Sequence, residues 1–232
     1  MCGRFTLVSP QRAAAELFGE ARGETSSLPP RYNITPSQDV LTLRSSNEGS
    51  TREAVLLRWG LVPFWAKNAA IGNRLINARA ETVADKPSFR AAFRQRRCLI
   101  AADGFFEWRR EGNAKTPYHI HMAAAEPFAM AGLWERWAPD GEAAVESCTI
   151  ITTAANALVE PIHARMPVIV DRHDHDLWLL SGTGSEELAG LLRPYPAERM
   201  AAHSVSRAVN DPRNDGPECI RPNGPGHLFK DA

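Results

Sequence analysis

The sequence has few lysines, no close cysteine pair, no long apolar run and no net charge. Of 27 basic residues only 4 are lysine, and these balance 27 acidic ones. Bulk charge therefore announces no nucleic-acid binder, although arginine's planar fork suits phosphate and stacks on bases, so a local Arg-rich groove stays open. A bias of genome composition explains the arginine excess equally well. The 4 cysteines, Cys2, Cys98, Cys148 and Cys219, include no CxxC pair. That excludes a disulfide framework and a short-spaced zinc module. No stretch reaches the roughly 20 apolar residues that cross a bilayer, and no basic-then-apolar leader opens the chain. A soluble protein of a reducing compartment is expected. With 232 residues, 44% of them hydrophobic, the chain can bury one full core. No repeat or linker composition divides it, so one domain over 1–232 is expected, with an irregular Pro/Gly-rich tail from about residue 210.

What is present begins at Met1-Cys2-Gly3-Arg4-Phe5. Cysteine is small enough to permit removal of the initiator Met, which would leave an α-amine and a thiol on one residue. An α-amine titrates near about 7.7–8.0 against about 10.4 for lysine, so about a tenth of it is unprotonated at neutral pH. Such an amine attacks aldehydes to give a Schiff base. The adjacent thiol can close onto the imine carbon as a five-membered thiazolidine, an intramolecular step favoured by effective concentration. A cysteine at position 2 can equally be idle.

Further along, 4–8 reads as a strand, followed by a helix with Ser9 as N-cap, Pro10 at its first position and Gly19 as its stop. Arg31 to Pro36 reads as extended, because Pro36 disfavours helix at Thr35. Residues 40–44 and 53–59 form a hairpin around a Ser/Asn/Gly turn. Trp59 reads as core; Trp65, in a Gly/Pro-flanked loop, reads as core or as a residue that stacks on a base. A helix from Pro87 buries Phe89, Ala92 and Phe93. Arg90, Arg94, Arg96 and Arg97 around it read as a solvated or phosphate-facing cluster.

Cys98 to Ala102 is a buried strand. After Asp103-Gly104, alternation puts Phe105 and Glu107 on one face and Phe106 and Trp108 on the other. A carboxylate among aromatics suits proton transfer if buried; otherwise Glu107 is an exposed strand end. His119 and His121 share a strand face, which reads as a polar surface more readily than as a metal site. Strands over 128–134 and 148–153 follow. A loop over 161–167 enters a strand at 168–170, and His163, between two prolines and beside Arg165, is the best candidate for a catalytic histidine. The run Asp171 to Asp176 lacks metal-ligand spacing. A helix over 185–193 and a strand over 202–206 end the regular elements.

Taken in order, Met1-Cys2-Gly3-Arg4-Phe5, Arg31-Tyr32-Asn33 to Pro36, Trp59 to Pro63 with Trp65, Asn77-Ala78-Arg79-Ala80-Glu81, Asp103 to Trp108, His163 to Pro167, Val205 to Val209 and Asn214-Asp215 make a pattern. It resembles that of the SOS response-associated peptidase (SRAP) family of abasic-site-processing proteins. The resemblance implies an α+β fold, with a mostly antiparallel, barrel-like sheet core and peripheral helices. It implies a covalent crosslink between Cys2 and the aldehyde of an abasic site in single-stranded DNA, with lyase and crosslink-reversal chemistry alongside. By the same resemblance Asn77 positions the Cys2 region, while Glu107 and His163 are the two acid/base groups. Arg4, Arg79 and Arg165 would hold phosphates; Asn33, Pro36 and Thr152 would line the strand's path. Trp65 would wedge at a base, and Lys86 would be a further basic contact. No cofactor or metal is implied. The expected partner is single-stranded DNA with abasic sites, with replication-fork proteins as further candidates. A monomer in a cytoplasmic, nucleoid-associated setting, with no membrane contact, is expected. The competing readings are a non-catalytic single-strand-binding module, and a thiol peptidase using Cys2 and His163 in which the family's peptidase label extends beyond Met1.

Overall fold

Two sheets built from β-hairpins carry nearly all the regular structure of this computed structural model, which describes residues 2–227 apart from 20, 22, 24, 26, 46–50, 113, 140 and 142. The strands are β1 (Phe5–Leu7), β2 (Arg31–Ile34), β3 (Asp39–Ser45), β4 (Arg52–Trp59), β5 (Asn77–Arg79), β6 (Arg97–Ala102) and β7 (Gly104–Glu111). They continue as β8 (Ala114–Met122), β9 (Phe128–Trp137), β10 (Val145–Ala154), β11 (Arg165–Pro167), β12 (Ile169–Val170), β13 (Met200–Val205) and β14 (Pro222–His227). The helices are α1 (Pro10–Ala13), α2 (Arg90–Gln95), α3 (His175–Leu179) and α4 (Ser185–Leu191).

Strands β4, β3, β6, β9 and β10 close into a barrel, because β10 pairs both β9 (Cys148 opposite Trp134) and β4 (Cys148 opposite Trp59). The β10–β4 contact is parallel and the other four are antiparallel. The expected α+β, barrel-like architecture is the one observed. β6 is buried along its whole length, as its unbroken apolar run requires of a strand covered on both faces. One cover is α3, whose Trp178 donates from Nε1 to the Cys98 carbonyl at 2.9 Å. The second sheet, ordered β14-β13-β8-β7-β1-β2, curls beside the barrel. One face of it joins the main core through Phe5, Phe105, Tyr118 and Ile120. The other carries a smaller cluster of Phe106, Val205, Val209 and Cys219.

The expected hairpin is present, with Val40 opposite Leu57; its turn lies outside the described residues, as does Asn113. Trp59 is core, packing edge-on to Phe5 with ring centroids 5.2 Å apart. Ser9 begins its helix through its carbonyl, which accepts the Ala13 N–H at 2.9 Å, and not through its side chain. The helix winds into a π turn over Ala14–Phe18 and stops at Gly19, whose φ of 58° a glycine accepts without strain.

Four readings are corrected. Arg97 does not belong to a solvated or phosphate-facing cluster: it is buried, and donates to the carbonyls of Phe93, Arg94, Trp178 and Leu180. The tail from 210, within the described residues, is not irregular throughout. It contains a 3-10 turn at Pro217–Cys219 and the edge strand β14, which backbone pairing can form without an apolar pattern. The loop before Val168 contains β11, paired to β10. Finally, the His119/His121 face is not a polar surface. His119 is buried, and β13 brings His203 against it.

Candidate active site

The site is assembled where β1, β5, β7 and the loop before β11 meet. Cys2 immediately precedes β1, whose Phe5 pairs Phe105 of β7 and Ile34 of β2. That pairing draws the start of the chain into the core, and Cys2 is fully buried. Its carbonyl accepts a 2.9 Å hydrogen bond from Asn77 Nδ2. Asn77 opens β5, which lies parallel to β10 with Asn77 opposite Ile150. Burial, and next the charge of Glu107, push the Cys2 thiol far above the ordinary thiol range. The sulfur is thus held as S–H, a reagent that must give up its proton as it attacks.

Glu107 lies on the core-facing side of β7, as alternation from Phe105 requires, and only 3% of it is exposed. Burial raises its pKa, and the charge of His163 works against that rise. His163 closes a turn after Val159, its N–H meeting the Val159 carbonyl at 2.9 Å. Its Nδ1 lies 3.7 Å from Glu107 Oε1 and accepts the Arg165 amide N–H at 3.0 Å. Glu107 and His163, with Trp108, Arg110, Lys115 and Asn210, line a cleft of about 430 Å³. A buried carboxylate and a half-exposed imidazole thus face the same opening.

The other predicted residues divide by exposure. Arg79 and Lys86 are exposed, Pro36 is half-buried, and Trp65 is 46% exposed. Arg165 grips Glu81 through two bonds of 2.5 and 3.0 Å and donates to the Thr152 carbonyl at 2.6 Å. Any phosphate at Arg165 competes with Glu81. Asn33 and Thr152 are fully buried, so neither offers a bound strand any surface. Asn33 accepts from Arg4 Nη1 at 2.8 Å and donates to the carbonyls of Val209, Asp211 and Asn214. Arg4 also donates to the Val209 carbonyl at 2.6 Å. Asp215 holds this corner, accepting from the Tyr32 and Asn33 amides at 2.6 and 2.8 Å.

Sequence reasoning missed Phe64, 60% exposed beside Trp65, and the basic pair Arg110 and Lys115, opposite each other across β7 and β8. The Arg-Arg step after Trp108 and the Phe-Trp step after Pro63 were the signals available for them.

The class this arrangement defines is a barrel-like α+β protein with a thiol residue at position 2, its carbonyl clamped by an amide and a carboxylate–imidazole pair alongside. The chain belongs to the SOS response associated peptidase (SRAP) family, whose model matches residues 1–212. It is 45% identical to abasic site processing protein YoqW of Bacillus subtilis, covering 95% of this chain and 99% of that one. It is 33% identical to abasic site processing protein YedK of Escherichia coli, covering 96% and 100%. Abasic site processing protein HMCES of Xenopus tropicalis is 31% identical, covering 85% and 68%. A solved protein of Bacteroides thetaiotaomicron superposes with a TM-score of 0.85 at 30% identity, covering 96% and 100%.

Proposed function

We propose that this protein processes abasic sites in single-stranded DNA by forming a thiazolidine crosslink through Cys2 after hydrolytic loss of Met1. The observation that carries the reading is the grouping of Cys2 with Asn77, Glu107 and His163, supported by the likeness to proteins named for abasic site processing. The neutral amine of Cys2 adds to the aldehyde carbon of the opened deoxyribose. The carbinolamine loses one water to give an imine. The thiol sulfur then attacks the imine carbon, its proton passing to the ring nitrogen, and the C–S bond closes the ring.

Glu107 is suited to these transfers because burial brings its pKa toward the working range. It can protonate the departing sugar-ring oxygen or the leaving hydroxyl, and take the thiol proton afterwards. His163, at the cleft mouth, is placed to return a proton in reversal. It can also remove one from the carbon beside the imine, so that the 3′ phosphate leaves with its electron pair, the lyase route. Asn77 fixes the Cys2 carbonyl and hence the direction of its amine and thiol. Arg79, Lys86 and Arg4 supply phosphate contacts, and Trp65 with Phe64 supplies stacking surface.

Intact-mass spectrometry after mixing the protein with single-stranded DNA bearing one abasic site tests this. The expected product has the summed mass of DNA and Met1-less protein minus one water, and is absent with Cys2→Ala. No adduct from protein with a demonstrably free Cys2 terminus overturns the reading and leaves a non-covalent binding module.

A further inference from the structure

On the face of the six-stranded sheet opposite Glu107, three histidines converge. His119 and His121 lie two apart on β8 and so share a face. β13 pairs with β8 so that His203 stands directly opposite His119. The ring centroids of 119 and 121, 119 and 203, and 121 and 203 are 5.4, 5.4 and 5.3 Å apart, nearly an equilateral triangle. One ring nitrogen from each lies within 4.8 Å of the other two.

We propose that His119, His121 and His203 form a binding site for one zinc-class divalent cation. With Zn–N bonds of about 2.0–2.1 Å in a tetrahedral arrangement, three imidazole centroids sit about 5.2 Å apart and their ligating nitrogens about 3.3 Å apart. The rings already have that spacing, so rotation about their own bonds closes the remaining distance between nitrogens. Imidazole donors suit zinc and its late first-row neighbours, not calcium or magnesium.

The surroundings of each ring match those of metal-ligating histidines, whose second nitrogen is held by an outer partner. His121 Nδ1 faces the Met122 carbonyl at 2.8 Å, and His203 Nε2 faces the Ile220 carbonyl at 3.0 Å. His119 Nε2 faces the Thr6 hydroxyl at 3.3 Å, and that hydroxyl gives its own proton to Asp103. His119 Nε2 is thereby the protonated nitrogen, and its Nδ1 turns a lone pair inward. That Nδ1 is buried and has no hydrogen-bond partner among the described residues, a state that native proteins seldom leave uncompensated. Gly104 clears the space: a Cβ there would overlap the His119 ring. His121 is only partly buried, which gives an entry path and a fourth position for water. His227 of β14 is the register partner of His203, a fourth histidine on the same row of strands. A cation here would tie β8 to β13 and, through Thr6, to β1, the strand that anchors Cys2.

The test uses the full chain in a Cys2→Ala background, which removes the aminothiol as a competing chelator. After chelator treatment and dialysis, Zn²⁺ is titrated by calorimetry and Co²⁺ by visible absorption. The expected result is one ion per chain, tetrahedral ligand-field bands for Co²⁺, and a melting temperature raised by about 5–10 °C at a hundredfold excess over Kd. His121→Gln, at the partly exposed ligand, should weaken binding by more than about 100-fold, beyond what loss of an outer partner costs. His203→Gln should do the same, and circular dichroism confirms that each variant is folded. No stoichiometric binding tighter than about 10 μM overturns the proposal. Equal binding by the parent and both folded variants overturns it too.

Discussion

The two faces of the curled sheet hold chemistry of opposite kinds. Toward the barrel stands Glu107, a buried acid with His163, a group of the opposite sign when charged, beside it. On the far face three imidazoles stand together, with the Thr6 hydroxyl, backbone carbonyls and the Phe106 ring against them. Glu107 pairs with Tyr118 in register and Phe106 with His119, so neighbouring residues of the same two strands serve different sites. A strand separates functions by a period of two, and a one-residue slip would exchange them. The difference teaches that one buried polar group is made useful by an opposite charge, whereas like groups need a ligand from outside.

Substitutions can break this comparison one face at a time. The largest effect expected is complete loss of the covalent product in Cys2→Ala, with the opposite face untouched; intact mass and Zn²⁺ titration on one preparation show both. Glu107→Gln should slow adduct formation by about 10²–10⁴-fold, the span of general acid–base catalysis, in a single-turnover gel assay.

The same variant should melt higher at neutral pH. Burial raises the pKa of Glu107 in the folded state, so its protonated form is the one the fold favours. Below the ordinary carboxylate range that preference carries no penalty; as pH rises through the elevated pKa, the wild-type protein loses stability that Glu107→Gln keeps. Thermal melts from pH 4 to 8 follow the gap, which should widen with pH.

Gly104→Ala joins the two faces, because its Cβ would enter the His119 ring while its backbone pairs β1. A loss of about 1–3 kcal/mol, the usual cost of overpacking, is expected in urea unfolding. Asn77→Ala removes the clamp on the Cys2 carbonyl, and a roughly fivefold slower crosslink follows from losing one hydrogen bond of about 1 kcal/mol. Smallest are Arg79→Ala and Lys86→Ala, each expected to lower the slope of log affinity against log salt by about 0.7. Neither should alter events on the histidine face.

Much of the chemistry was legible in one dimension. Cys2 follows Met1, alternation put Glu107 with Phe105, and the Trp59 and Cys98 segments announced the core, because periodicity and local spacing are written in neighbouring residues. The tail strand β14 was not, since Pro, Gly and Asn give no apolar pattern and its pairing comes from a strand elsewhere. Arg97 reads as a surface charge beside Arg94 and Arg96. Only the arrival of Trp178 and Leu180 shows it satisfying carbonyls inside the fold. Asn33 reads as a contact residue until its burial shows it to be a brace for Arg4.

What the sequence determined by itself was the set of reagents: an amine and thiol that can share residue 2, an acid flanked by aromatics, and a loop histidine. Which of them meet was decided by tertiary structure. Asn77 reaches Cys2 across 75 residues, Glu107 meets His163 across two sheets, and His203 is set against His119 by a strand pairing 84 positions away. Contacts so distant in sequence leave no local signature. Their entropy of closure is offset only when a whole core forms, so they belong to the fold and not to any segment of it.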